Sequence, residues 1–171
     1  MSTLKVDTVQ STGGSTIFTH SSGLFKPNAL ICQVKGINVD QDYSTSTYPA
    51  IQFNSVDIDT GSFWDSTNHR YTPTVAGWYY VSGVVRFTAD SVPVGWAFIA
   101  ARKNGTNAAL YQWQGNSDYI SHSMLPIPST LIQLNGSGDY IDAMIALEEA
   151  GTISDHGTYP SVLTIQLVHT T

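Results

Sequence analysis

The residue types that carry out chemistry are present in this sequence, but their spacing brings few of them together. The five histidines, His20, His69, His122, His156 and His169, show no His-x-x-x-His or related interval, the spacing that turns two imidazoles toward one metal, so no zinc site is expected. Asp57, Asp59 and Asp65 lie on one short stretch and could gather oxygen ligands around a calcium ion, but solvated loop carboxylates are the simpler reading. Glu148 and Glu149 are adjacent; on a strand they would point to opposite faces, which is not the carboxylate pair that glycoside hydrolysis needs. No Gly-x-Ser-x-Gly elbow and no phosphate-cradling glycine loop occurs, so a serine nucleophile and a nucleotide site both lack an anchor. Cys32 is the sole cysteine; it can form no intrachain disulfide and reads as a small buried hydrophobe. The expectation is a chain without catalytic residues, metal ligands or cofactor. The side chains left with recognition chemistry are aromatic. Trp64, Trp96 and Trp113 are candidate ligand contacts, able to stack on sugar faces while Asn and Asp grip hydroxyls.

The elements that must position these residues read as β-strands. With 171 residues, 42% hydrophobic and only 12% charged, the chain can bury one core, and hydroxyls and amides supply most of its surface polarity. The formal net charge of -6 offers no basic stripe for a phosphate backbone, so nucleic acid is not an expected partner. No apolar window is long enough to span a bilayer, and Met1-Ser2-Thr3-Leu4-Lys5 does not begin a signal peptide. From Ala29 onward apolar residues recur with period two between turn residues. Strands are expected at 29–34, 50–53, 69–72, 77–87, 96–102, 108–113, 130–134, 140–147 and 161–168. Residues 54–61 read as a loop. Asn104-Gly105 predicts a tight hairpin turn, and Pro126 with Pro128 confines pairing to the later half of 121–134. The run 77–87 is the strongest strand: Tyr79 and Val81 share one face, Trp78 and Tyr80 the other. A strand apolar on both faces needs two covers, one of which a second subunit could provide, so all four are candidate core or trimer-packing residues. Many short strands and no convincing helix predict an all-β sandwich with Greek-key connections.

Residues Arg70-Tyr71-Thr72-Pro73-Thr74-Val75-Ala76-Gly77-Trp78-Tyr79-Tyr80-Val81-Ser82 resemble the central signature of the C1q/TNF-like jelly roll, a "G-x-F-x-x-P-x-x-G-x-Y-x-F" pattern. Phe53-Asn54 with Asp59 and Gly61 is similar to the strand and loop before that signature. Val94 to Gly105 resembles the strand ending in an Asn-Gly turn, and Ser129 to Leu134 followed by Gly138-Asp139-Tyr140-Ile141 the "L-x-x-G-D" element. The resemblance spans roughly residues 29–169 and implies a jelly-roll β-sandwich that assembles as a homotrimer. Independently of any family, Pro73 and Gly77 bracket a corner, the proline fixing φ and the glycine permitting positive φ.

Residues 1–28 differ from the domain at 29–171. Leu4 to Val9 alternates like one short strand and 10–16 is polar and flexible, which predicts an N-terminal arm whose apolar residues Leu4, Val6, Val9, Ile17 and Phe18 find burial only on another protein. Ser2 to Gln10, followed by Gly13-Gly14, resembles the opening of tail- and fibre-associated structural proteins of marine bacteriophages. That implies a virion protein made in the host cytoplasm: a trimeric tail-fibre, knob or capsid-attached head domain, anchored to another virion protein through the arm and able to contact a host-surface glycan or protein. The alternative is a carbohydrate-binding, lectin-like module without catalysis.

Overall fold

The computed structural model describes residues 8–10, 16–21, 24–27, 30–36, 41–43, 48–89, 96–114, 123–148, 151–153 and 160–171. The chain divides into two compact units, Met1–Leu30 and Ile31–Thr171. In the first, β1 (Thr8–Gln10), β2 (Thr16–Ser21) and β3 (Leu24–Pro27) form an antiparallel meander with β2 at its centre. Val9 pairs with Phe18, and Phe18 in turn with Pro27. The first unit therefore holds more than the single strand expected: Thr16-Ile17-Phe18-Thr19, dense in β-branched and aromatic residues, suits a central strand. Leu4 and Val6 lie outside the described residues.

The second unit is built from β4 (Ile31–Lys35), β5 (Gln41–Tyr43), β6 (Ser55–Asp59), β7 (Trp64–Asp65), β8 (Arg70–Tyr71), β9 (Ala76–Ala89), β10 (Trp96–Lys103), β11 (Thr106–Gln114), β12 (Ser123–Asn135), β13 (Ile141–Leu147), β14 (Gly151–Ile153) and β15 (Val162–Thr170). No described residue is helical. One sheet runs β5-β14-β9-β15-β4-β6, with β12 on the other edge of β9; the second runs β11-β10-β13-β8-β7. Their inner faces close on one core that contains Cys32, Val34, Tyr79, Val81, Phe87, Ile99, Ile132, Ile145 and Ile165. The alternation that predicted these strands is the cause: residues at i and i+2 fill the gap between the sheets while their neighbours face out.

Three expectations need correction. Residues 51–53 form no strand beyond the single bridge Ala50 to Met144, although Ile51 and Phe53 are fully buried. Residues 55–59, read as a loop, form β6 against β4, with the register shifting between Gln33 and Val34. An exposed edge strand tolerates the aspartates that argued against it. Pairing of β12 with β9 begins at Ser123 and runs through Pro126. β12 is an edge strand, where a missing N–H costs no second ladder, and a register shift between Ile127 and Thr130 takes up Pro128.

Gly77 has a different role from the one its corner position suggested. It has no positive φ; instead β15 passes so close that a Cβ would collide with the His169 carbonyl. Positive φ occurs where the hairpin needs it, at Asn104 (52°) and Gly105 (75°), the pair of left-handed residues of a type I′ turn.

Candidate functional site

The outward face of the larger sheet carries a group of exposed aromatic and aliphatic residues. In β9, Tyr79 and Val81 are fully buried, whereas Trp78 and Tyr80 are 37% and 38% exposed. The four residues proposed from the strand pattern thus separate into two core residues and two outward ones. Register places Tyr80 between Leu131 of β12 and Gln166 of β15, and Trp78 between Gln133 and His169. Leu131 and Val168 are more than half exposed. Val168 reaches this surface because the register of β15 shifts between Leu167 and His169. The row Trp78, Tyr80, Leu131, Gln133, Gln166, Val168, His169 contains no Asp, Glu, Lys or Arg, so covering it desolvates no carboxylate, ammonium or guanidinium of its own.

Trp64, Trp96 and Trp113 do not converge. Trp64 sits on β7 and Trp113 on β11, the two opposite edges of the five-stranded sheet. Both are half-buried against the core, Trp64 edge-on to Phe53 at 6.4 Å and Trp113 to Phe87 at 6.3 Å. Trp113 is paired in register with the buried Ala97, so Trp96, one residue away, belongs to the opposite face, where its ring lies 4.6 Å from Phe98. Sequence spacing could not show this, because one residue of register decides which face a tryptophan takes.

The carboxylates considered for calcium are each engaged separately. Asp57 pairs with Lys35 at 2.7 Å. Asp59 accepts from the Trp64 backbone N–H at 2.7 Å. Asp65 accepts from the side chain and backbone of Asn68 and the backbone of Thr67, which hold its carboxyl below the usual range. Among the described residues, no three His, Cys, Asp or Glu side chains gather as a metal site. Cys32 is fully buried, and burial, with Asp59 nearby, pushes its thiol up to about 12. A thiol held protonated to that degree is a poor nucleophile.

Sequence reasoning missed the charged pair on the outer face of the five-stranded sheet. Arg102 of β10 lies directly opposite Asp142 of β13. Its Nε donates to Asp142 Oδ1 and its Nη2 to Oδ2, both at 2.7 Å, while Nη1 donates to the Tyr48 carbonyl at 2.8 Å. Both side chains are about nine-tenths buried. Forty residues separate the two, and only strand register joins them. Next to them a second network ties two turns together: Asp139 accepts from Lys103, Asn104 and the Asn135 backbone, which lowers its pKa, with Lys103 the largest cause.

No protein-family model and no curated protein matches the chain. Among solved structures it is similar to the globular domain of zebrafish complement 1qA protein, at 10% identity and a TM-score of 0.59, covering 83% of this chain and 99% of that one. It is also similar to murine APRIL, at 12% identity and a TM-score of 0.60, covering 82% of this chain and 99% of that one. With its strand order and two antiparallel sheets, residues 31–171 adopt the jelly-roll sandwich of the C1q/TNF type.

Proposed function

We propose that this chain is a non-catalytic structural and binding module of a bacteriophage virion, in which three copies pack through the outward face of the larger sheet. The observation that carries the assembly is the uncharged row around Trp78 and Tyr80, two large aromatics more than a third exposed beside Leu131 and Val168. A surface of that kind is stabilised by a second protein surface rather than by water. A jelly roll that presents this face to its own copies leaves the outer face of the five-stranded sheet and its hairpin turns for other contacts.

The virion assignment rests on the resemblance of Ser2 to Gln10 to the opening of phage tail- and fibre-associated proteins. The three-stranded meander of the first unit supports it physically. A small sheet needs a packed hydrophobic face for independent stability, and an open edge can be completed by a strand from a neighbouring virion protein.

Light scattering on the full chain is expected to give the mass of three copies at micromolar concentration. The double variant Trp78→Asp with Leu131→Asp is expected to give a folded monomer. A monomeric parent chain, or a double variant that remains a trimer, overturns the assembly. Mass spectrometry of purified phage particles tests the location, and particles lacking the chain overturn it.

A further inference from the structure

We propose that the groove above the Arg102–Asp142 pair, on the outer face of the five-stranded sheet, binds a neutral saccharide. The proposal deepens the reading of the chain as a non-catalytic binding module and names its ligand class.

Strand register builds the groove in rows. Asn107, Arg102 and Asp142 lie side by side on β11, β10 and β13; the next outward row is Leu110, Ala100 and Met144, and the next Gln112, Phe98 and Ala146. The groove is open and shallow-sided, with a volume of about 520 Å³, Phe98, Leu110 and Met144 on its apolar side and Arg102, Thr106 and Asn107 on its polar side. Tyr48 completes the lining; it is 57% exposed, and its carbonyl is held by the Arg102 guanidinium. That volume falls in the range of small-molecule sites, about 300–1,000 Å³.

The ion pair decides the chemistry of the ligand. Burying a guanidinium and a carboxylate on the outward side of a sheet is not a route to stability, because desolvation offsets most of their attraction. A guanidinium has five N–H donors, and three contacts to protein are made here, two to Asp142 and one to Tyr48. Two N–H groups, one on Nη1 and one on Nη2, are not used by these contacts, and Arg102 lines the groove. Asp142 already cancels the charge of Arg102, so the donors favour a neutral oxygen acceptor over an anion. A wholly apolar guest would cover those N–H groups without accepting from them, an unfavourable exchange.

A molecule that matches has closely spaced hydroxyls on one side and a C–H face on the other. Sugar rings have both: hydroxyls for Arg102, the Asn107 amide and the Thr106 hydroxyl, and an apolar face for the exposed Tyr48 ring. The occupant is thus a sugar rather than a fatty acid or an acidic ligand.

The test is a titration of the full-length, nitrogen-15-labelled chain with cellobiose, lactose and diacetylchitobiose, followed by amide signals and the Arg102 Nε–H signal. At least one disaccharide is expected to shift Gly105 to Leu110 and Arg102 Nε. Tyr48→Ala and Asn107→Ala, both at exposed positions, are each expected to weaken that binding about tenfold or more while melting is unchanged. The proposal is overturned if none of the three sugars moves these signals, if octanoate or sialic acid moves them and the neutral sugars do not, or if both variants bind as the parent does. Light scattering on the same samples separates the two readings: a trimer that binds none of the sugars overturns the groove alone, and a monomer that binds one overturns the trimer alone.

Discussion

Tyr71 on β8 and Tyr79 on β9 bring their rings together edge-on across the gap between the two sheets, with centroids 5.9 Å apart and planes at 64°. Both are fully buried, yet their hydroxyls differ. Tyr79 donates to the Val75 carbonyl at 2.8 Å, whereas the Tyr71 hydroxyl is buried and has no hydrogen-bond partner among the described residues. Tyr79→Phe is therefore expected to destabilise the domain by about 1 kcal/mol, while Tyr71→Phe, which removes an unpaired desolvated group, is expected to be neutral or stabilising. Urea melts of the two variants measure the difference. An equal loss in both would mean that the Tyr71 hydroxyl has a partner.

The same burial gives the domain an alkaline limit. Burial raises the Tyr79 hydroxyl to about 12 and the Cys32 thiol to about 12, and it raises Tyr71 as well, with Tyr79, Cys32 and Asp59 adding to the effect. In the unfolded chain these groups lose their protons near their ordinary values, roughly 8.5 for Cys and about 10 for Tyr. The folded state therefore binds more protons than the unfolded one above that range. The stability due to their burial is fully present below pH about 8 and falls as pH rises toward 12. Melting followed from neutral to alkaline pH should show this decline, and the native Cys32 thiol should react with iodoacetamide only as fast as the domain unfolds. Rapid labelling of the folded protein would contradict the buried placement of Cys32.

Much of the sandwich was legible because its inner faces follow period two over long runs. β9 over residues 77–81 and β15 over 162–166 alternate as a half-buried strand should, and the Asn104-Gly105 step marks the turn between β10 and β11. What was not legible depends on pairing. Asp57 and Asp59 read as loop residues, and only their placement on an edge beside β4 makes the segment a strand. The two prolines of β12 are tolerated for the same reason. Trp64, Trp96 and Trp113 look alike in sequence and end on two edges and two faces. Arg102 and Asp142 look like ordinary surface charges until register sets them opposite each other.

That buried pair makes a sharp prediction by mutant cycle. Arg102→Met leaves the Asp142 carboxylate buried without its partner and is expected to cost about 3–5 kcal/mol. The double variant Arg102→Met with Asp142→Leu removes both desolvated charges and should recover most of that loss, while the Tyr48 carbonyl loses one donor. Denaturant melts of the two single variants and the double give the coupling energy directly. If the losses of the single variants simply add in the double, the pair is solvated rather than buried.

At Leu30 the chain divides into two compact units. Within the second unit both inner sheet faces meet on residues from Cys32 to Ile165, and the N-terminal end of β4 is tied to its own unit, the Ile31 backbone N–H donating to the Thr60 hydroxyl and the Thr60 N–H to the Ile31 carbonyl, each at 3.0 Å. Those bonds are made and satisfied without any residue before Leu30. A chain beginning at Leu30 is accordingly expected to fold, to melt within a few degrees of the full-length protein, and to keep the oligomeric mass set by the Trp78 and Tyr80 face. The meander of β1 to β3, cut free, is expected to show little structure by circular dichroism, since a small sheet needs a packed hydrophobic face for independent stability. If the arm attaches the protein to a particle, particles assembled with the shortened chain should lack it. Loss of folding on truncation would instead make the first unit part of the sandwich core and remove the motive for assigning it an attachment role.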